Sequence, residues 1–467
     1  MATDRGRAAV DQSLGGEPDN GPLGILACAG QLPVEIARTT LGSGRAVHVV
    51  GIKGFVGEQI DEFSHERVGL GQVGRMLSSF HRAGVRQIVF AGAMQRPNLL
   101  SLRVDGGFFK ALPTVLSLTR GGDDNVLRRV VKFFEKEGLQ VVGVGDVAPA
   151  LLAPEGRFSA RALLEQETRA LARARRLLAA LGPFDIGQAV VATENTIAAV
   201  EGVRGTDAML SDLGPGGIGA GVANGGVLLK LAKPGQEMRI DLPTIGRETV
   251  RLAHAAGIKA IGLGAGAAIV LDRERVAHDA DEAGIALVGM PTGEGGTAPE
   301  SDRRKGVEGG HDTPETDGLV ADIVARRTPT PADRRDIHIA RAVLHQLVSQ
   351  NAGQAVIICR EHVLGIAAAL PLVPFVGLQK ASASWGRRFF SRRLGVLIVD
   401  LRDVPRDQVV TDGGPISREL CQAAKSAGLA GIAILGGIDG DDARLSAAAW
   451  ANEAELFLMA FSEGTAP

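Results

Sequence analysis

The chain contains no tyrosine, and only 4% of its 467 residues are aromatic. A surface on which nucleic-acid bases stack needs aromatic faces, so that class of binder is disfavoured. An excess of one charge is also missing. Lys and Arg number 51 against 53 Asp and Glu, a formal net charge of −2, which gives no bulk attraction for a nucleic-acid backbone. Cysteine is scarce: Cys28, Cys359 and Cys421 stand far apart. They supply neither a disulfide framework nor a thiolate zinc site, and a reducing compartment, the cytoplasm, is the expected location. The longest uncharged apolar run, residues 363–378, contains Pro371 and Pro374. It falls short of the ~20 apolar residues of a membrane span and is expected to form buried strand and turn. Residues 1–20 are polar, which argues for a frayed tail and against a secretory signal. There is no G-x-S-x-G elbow, Walker A loop or HExxH pair, and the nine histidines are read as surface or loop residues.

Glycine, by contrast, is abundant at 63 residues with no G-X-Y period, which excludes collagen and suits α/β units joined by tight turns. Short apolar runs at residues 22–29, 45–50 and 87–91 alternate with helical stretches at 32–42 and 75–83, a spacing that predicts parallel βαβ units. Residues 123–137 predict an amphipathic helix with Val126, Leu127, Val130, Val131 and Phe134 on one stripe and Gly138 after it. The first domain is expected over 21–150. A helix over 161–181 and strands near 188–193, 196–200, 227–231, 258–263 and 268–271 make a second over 151–290. Residues 291–327 begin with a Gly-, Pro- and charge-rich stretch that cannot bury enough surface to order itself, and are read as a linker. A third region spans 328–462.

That third region repeats the second. Asp241-Leu-Pro-Thr-Ile-Gly-Arg247-Glu248 aligns with Asp412-Gly-Gly-Pro-Ile-Ser-Arg418-Glu419, and the alignment runs without gaps to Met290 against Phe461. Upstream, Gly187-Gln188-Ala189-Val190 matches Gly353-Gln354-Ala355-Val356, and Gly226-Val227-Leu228 matches Gly395-Val396-Leu397. The second copy keeps the apolar pattern and loses polar residues: LPLVPFVG replaces the stretch that carries Glu201 to Asp207, and Arg360 stands opposite Glu194. Such a copy is expected to keep a fold and lose chemistry.

The polar residues cluster in two stretches. Glu194, Glu201, Thr206 and Asp207 fall at strand ends and a turn; Lys230 to Arg247 (KLAKPGQEMRIDLPTIGR) adds Lys, Gln, Arg and Asp around a Pro-Gly turn, among them Lys233, Gln236, Arg239, Asp241 and Thr244. Carboxylates beside Lys, Arg and glycine turns suit a Mg²⁺-bound phosphate ester, and the same residues also read as solvated loop charges. Gly121-Gly122-Asp123-Asp124 reads as a helix start with acids in its first turn. The Asp pair could equally serve a metal or a sugar hydroxyl.

These motifs resemble the UDP-2,3-diacylglucosamine pyrophosphatases of the LpxI type, from lipid A biosynthesis. The likeness spans residues ~21–292, ~60% of the chain. It is carried by Leu32-Pro33-Val34-Glu35, Phe90-Ala-Gly-Ala-Met-Gln-Arg96-Pro97, Gly122-Asp123-Asp124-Asn-Val-Leu-Arg128-Arg129 and Phe133-Phe-Glu-Lys-Glu-Gly138. Asp185-Ile-Gly-Gln188, Glu201-Gly-Val-Arg-Gly205-Thr206-Asp207-Ala-Met209, Lys233-Pro-Gly-Gln236 and Asp241-Leu-Pro-Thr-Ile-Gly246 continue it. The resemblance implies a Rossmann-like N-terminal domain, a separate α/β C-terminal domain and, here, a degenerate second copy of the latter. It implies Mg²⁺-dependent hydrolysis of a lipid-linked UDP-sugar between the two domains, giving UMP and 2,3-diacylglucosamine 1-phosphate. The family's essential aspartate falls on Asp241. Asp207 joins it as a candidate catalytic and metal-binding carboxylate. Gly30, Arg96, Asp123, Asp124, Gln188, Glu194, Glu201, Thr206, Lys233, Gln236, Arg239 and Thr244 are the candidate substrate contacts. Where the family has three glycines before its Leu-Pro, this chain has Cys28-Ala29-Gly30-Gln31.

Residues 382–393 (SASWGRRFFSRR) place Trp385, Phe389 and Phe390 among four arginines. That composition suits either a membrane surface or a core aromatic pair. The inner face of the cytoplasmic membrane and a second copy of this chain are accordingly candidate partners; nucleic acid is not. Two other functions stay open at this point: an inactive regulatory protein that binds a lipid or nucleotide sugar, and a hydrolase of another nucleotide-linked lipid.

Overall fold

A computed structural model describes residues 21–93, 104–107, 123–215, 222, 225–292, 319–368, 372–379, 393–402, 416–438 and 440–463. The N-terminal tail, Arg96, Gly121, Gly122, Asp412, most of the expected linker and all but Arg393 of the 382–393 segment lie outside them. The chain divides into two compact units, Met1–Ala150 and Leu151–Pro467.

In the first unit, strands β1 (Leu23–Ala27), β2 (Val47–Ile52), β3 (His65–Val68), β4 (Gln87–Ala91) and β5 (Gln140–Val141) form one sheet in the order β3-β2-β1-β4-β5. All neighbours are parallel, so the chain must cross over between strands. It does so through helices α1 (Leu32–Gly42), α2 (Val73–Arg82) and α3 (Asp123–Lys136); a short α4 (Val144–Val147) follows β5. The order is that of a Rossmann-like half, with its switch point between β1 and β4. Strand β1 is buried throughout. A Cβ on Gly24 would stand 2.7 Å from Val85 and 2.9 Å from Phe80, so glycine there lets α2 close onto the sheet. Helix α2 buries Val73, Met76, Leu77 and Phe80, the spacing of a single helical face. From the stripe expected on α3, Val131 and Phe134 are buried, and Phe134 meets Phe90 edge-on at 5.3 Å. His48 departs from the expected surface role. It lies on β2, half-buried, between Ser64 Oγ and Ser79 Oγ, each 2.9 Å away.

The second unit holds two six-stranded sheets. The first combines β6 (Gly156–Arg157), β7 (Ala189–Ala192), β8 (Ile197–Val200), β9 (Gly226–Lys230), β11 (Ile258–Gly264) and β13 (Ala286–Met290) in the order β6-β13-β11-β9-β7-β8. A two-stranded sheet, β10 (Thr244–Ile245) with β12 (Ile269–Val270), lies beside it. Its helices are α5 (Glu165–Leu181), α6 (Thr206–Leu213), α7 (Arg247–Ala255) and α8 (Arg273–Glu282). Helix α5 starts at Glu165, four residues later than its composition suggests. Arg161 stays outside it and clamps the buried Glu167 of the first turn at 2.6 and 2.9 Å.

The other sheet combines β14 (Leu319–Ile323), β15 (Ala355–Cys359), β16 (His362–Ala367), β17 (Val396–Asp400), β18 (Gly431–Leu435) and β19 (Phe457–Glu463) in the order β14-β19-β18-β17-β15-β16. Helices α9 (Pro331–Ser349), α10 (Leu372–Leu378), α11 (Arg418–Ala427) and α12 (Asp441–Glu453) accompany it. Position for position, its parallel and antiparallel neighbours match those of the first sheet. Two boundaries shift. The expected linker ends before Leu319, because residues 319–323 pair antiparallel with β19. The apolar run 363–378 is strand and then helix, since its later half forms α10. Among the described residues no helix is long and apolar enough to cross a membrane.

Candidate active site

The polar residues of the second unit converge where β8 and β9 end. Strand β9 reads GVLLK and is buried along its whole length. Its last residue, Lys230, has only 8% of its surface exposed. A buried ammonium requires partners, and Nζ donates to Thr206 Oγ1 at 2.8 Å and to Thr244 O at 3.0 Å. Thr206 opens α6 after Gly205, whose φ of 84° favours glycine. Its hydroxyl donates to Glu201 Oε1 at 2.6 Å. Glu201 follows β8, and its other oxygen accepts from Gln188 N at 2.8 Å. The Gln188 side chain turns to Asp241, donating from Nε2 to Oδ2 at 3.3 Å. Gln236 Nε2 donates to that same oxygen, while Lys233 N donates to Gln236 Oε1 at 2.8 Å. A continuous chain of hydrogen bonds thus runs from Lys230 through Thr206, Glu201 and Gln188 to Asp241. Two amide donors orient the Asp241 carboxylate, an arrangement that holds a reactive group in one geometry.

The structure thus brings Gln188, Glu201, Thr206, Gln236, Asp241 and Thr244 together. Asp207 follows Thr206 on α6, exposed, with Oδ1 accepting from Thr249 Oγ1 at 3.2 Å. Lys233 leans away, its Nζ donating to Asp185 Oδ1 at 2.8 Å. Arg239 pairs with Glu237 at 2.8 Å on its own turn. Glu194 is not part of the cluster. It sits in the turn between β7 and β8, at the opposite end of those strands from Glu201, and pairs with Arg169 of α5 at 2.8 Å. Lys230 opens the 230–247 stretch but was not singled out as a site residue. Its signal was one lysine ending an otherwise apolar strand.

In the first unit Gly30 has φ 99° and directly follows the bridge between Ala29 and Ala93, whose paired backbone bonds measure 2.9 and 3.0 Å. That places it at the carboxyl ends of β1 and β4, the switch point where open α/β sheets bind ligands. Asp123 and Asp124 open α3.

The second sheet shows what the cluster loses. Leu231 N donates to Gln188 O at 2.9 Å, and Asp400 N donates to Gln354 O at 2.7 Å, which fixes the correspondence. By that register Val399 stands for Lys230, and Ala367 for Glu201.

Residues 22–151 match the model of the LpxI N-terminal domain, and residues 154–288 that of the LpxI C-terminal domain. The chain belongs to the LpxI family. It is 36% identical over 271 residues, 57% of this chain and 97% of the relative, to "UDP-2,3-diacylglucosamine pyrophosphatase LpxI" of Caulobacter vibrioides. A murein peptide ligase from Psychrobacter arcticus 273-4 aligns over 95% of this chain and 91% of its own at 11% identity, with a TM-score of 0.20; so slight a likeness bears no weight. The LpxI domain matches end at 288, so the second sheet lies beyond them, and the whole polar cluster falls inside the LpxI C-terminal domain.

A Mg²⁺ site fits this donor set in one form only. Among the described residues no three His, Cys, Asp or Glu side chains come together as a metal cage. Mg²⁺ uses one or two carboxylates and completes its shell with substrate phosphates and water; Asp241 offers one such carboxylate, while Asp207 accepts from Thr249.

Proposed function

We propose that this LpxI-family chain hydrolyses the pyrophosphate of UDP-2,3-diacylglucosamine, releasing UMP and 2,3-diacylglucosamine 1-phosphate. The observation that carries this reading is the Asp241 cluster. It lies on the half that matches the family, and at the matching register of the other half Val399 stands for Lys230 and Ala367 for Glu201. In the reaction a water oxygen bonds to one phosphorus, the bridging P–O bond breaks, and the departing phosphate leaves with the bond's electron pair. Asp241, fixed by Gln188 and Gln236, is the proposed central carboxylate, with Asp207 as its companion. Glu201, Thr206 and Lys230 hold the surrounding loops in register; Lys233 and Arg239, paired here with Asp185 and Glu237, would have to exchange those partners to meet the substrate phosphates. Mg²⁺, when bound at Asp241 and Asp207, would neutralise charge on the phosphate oxygens. The acyl chains of that substrate are the reason to propose the inner face of the cytoplasmic membrane as a partner.

The test compares UMP release from UDP-2,3-diacylglucosamine by wild type and Asp241→Ala, each with Mg²⁺ and after chelation. Wild type is expected to release UMP only with the metal, and the variant to be slower by about 10²–10⁴-fold, the range for loss of a positioned catalytic group. A folded wild type that releases no UMP overturns the reading.

A further inference from the structure

Equivalent elements of the two halves of the second unit face one another. Helix α5 packs on α9, its counterpart, and the edge strand β8 lies against β16, its counterpart. One core joins them, with Leu171, Leu177 and Leu181 of α5 among Ile337, Leu344 and Leu347 of α9. Contacts in which the same element of two copies meets itself are the mark of a two-fold interface between subunits. Here both copies lie on one chain.

The seam reaches the polar cluster. Val203 N donates to Leu364 O at 3.3 Å, a backbone bond from one half to the other. A Cβ on Gly202 would stand 2.6 Å from that carbonyl oxygen and 3.4 Å from Gly365 Cα, so the approach needs glycine. Gly202 follows Glu201, whose carboxylate holds Gln188 N and Thr206 Oγ1. Whatever fixes residues 202–205 therefore fixes Glu201 and the start of α6.

We infer that residues 319–463 are a built-in partner subunit: a copy with Val399 and Ala367 at the places of Lys230 and Glu201, whose strand β16 positions the 201–205 loop of the first half. The second half then takes the place that a second subunit would hold. This presupposes the Asp241 cluster as the site, and neither readout below uses catalysis, so a failure here is distinct from a failure to release UMP.

Sedimentation of the full chain is expected to give one species at 48.5 kDa across concentrations; a stable dimer overturns the inference. Hydrogen exchange is then followed in Gly202→Ala. The amides of Val203 and Gln188 are expected to exchange about tenfold faster or more, with those of β9 and β17 unchanged. Faster exchange at Val203 with Gln188 unaltered would show that the seam does not hold Glu201, which refutes the positioning role. Should Gly202→Ala unfold, Ile366→Ala, which only thins the seam, is read by the same amides and the same criteria.

Discussion

At the scale of single residues, Thr206 links the two charges of the cluster. Its hydroxyl accepts from Lys230 and donates to Glu201, and the residue is 5% exposed. Thr206→Val keeps the shape and removes both bonds. Leaving buried polar groups unpaired costs about 1–3 kcal/mol, so the urea midpoint is expected to fall by the corresponding amount. An unchanged midpoint would mean that the hydroxyl adds nothing to stability. The contrast between Glu194 and Lys230 shows how far residue types alone could be read. Glu194 sits in a turn and Lys230 ends a strand. A sequence reveals such positions but not the end of the sheet at which they lie, so Glu194 was singled out and Lys230 was not. The contiguous motifs around Asp207 and Asp241 were legible because their turn residues and their chemistry lie side by side.

At the scale of elements, the hairpin of β15 and β16 hangs on one carboxylate. Asp336 of α9 is 3% exposed and accepts from the amides of Arg360 and Glu361 at 3.0 and 2.7 Å. Both residues of that turn have positive φ, 52° and 68°. Burial pushes the Asp336 carboxyl from 3.8 up to about 6, against the pull of the two amides. The folded state thus binds this proton more tightly than the unfolded chain does. Its contribution to stability is fully present below the unfolded pKa and is lost as pH rises through about 6. Between about pH 4 and 6, wild type is expected to lose stability relative to Asp336→Asn, a variant that cannot titrate. Parallel denaturation curves for the two across that window would refute the assignment. Elements with an apolar period were legible from sequence, α2 and α3 most clearly. Strand β3, which reads HERV, was not, because an edge strand with polar residues lacks the buried run that marks its neighbours. Strand β14 was hidden by the composition of the residues before it.

At the scale of the whole molecule, two sheets share one core while each keeps a second core on its outer face. The matching strand orders of the two sheets run parallel to the aligned glycines and apolar runs of the sequence. That the copies pack on each other was not legible there, since a helix's apolar stripe does not say what covers it. The shared core has a measurable effect. Leu344 is fully buried within it, and Leu344→Ala is expected to cost about 2–5 kcal/mol. Because the core is common, amides of β9 in the first half should lose protection together with those of β17 in the second. Loss confined to β17 would mean that the halves open independently. The common core also bears on how such a chain can change. In a pair of identical subunits every substitution is made twice, and a residue must serve both its own site and its neighbour's. When both halves are encoded in tandem, each position is written once. Val399 and Ala367 can then drift toward whatever packs best, while Lys230 and Glu201 stay under the demands of chemistry.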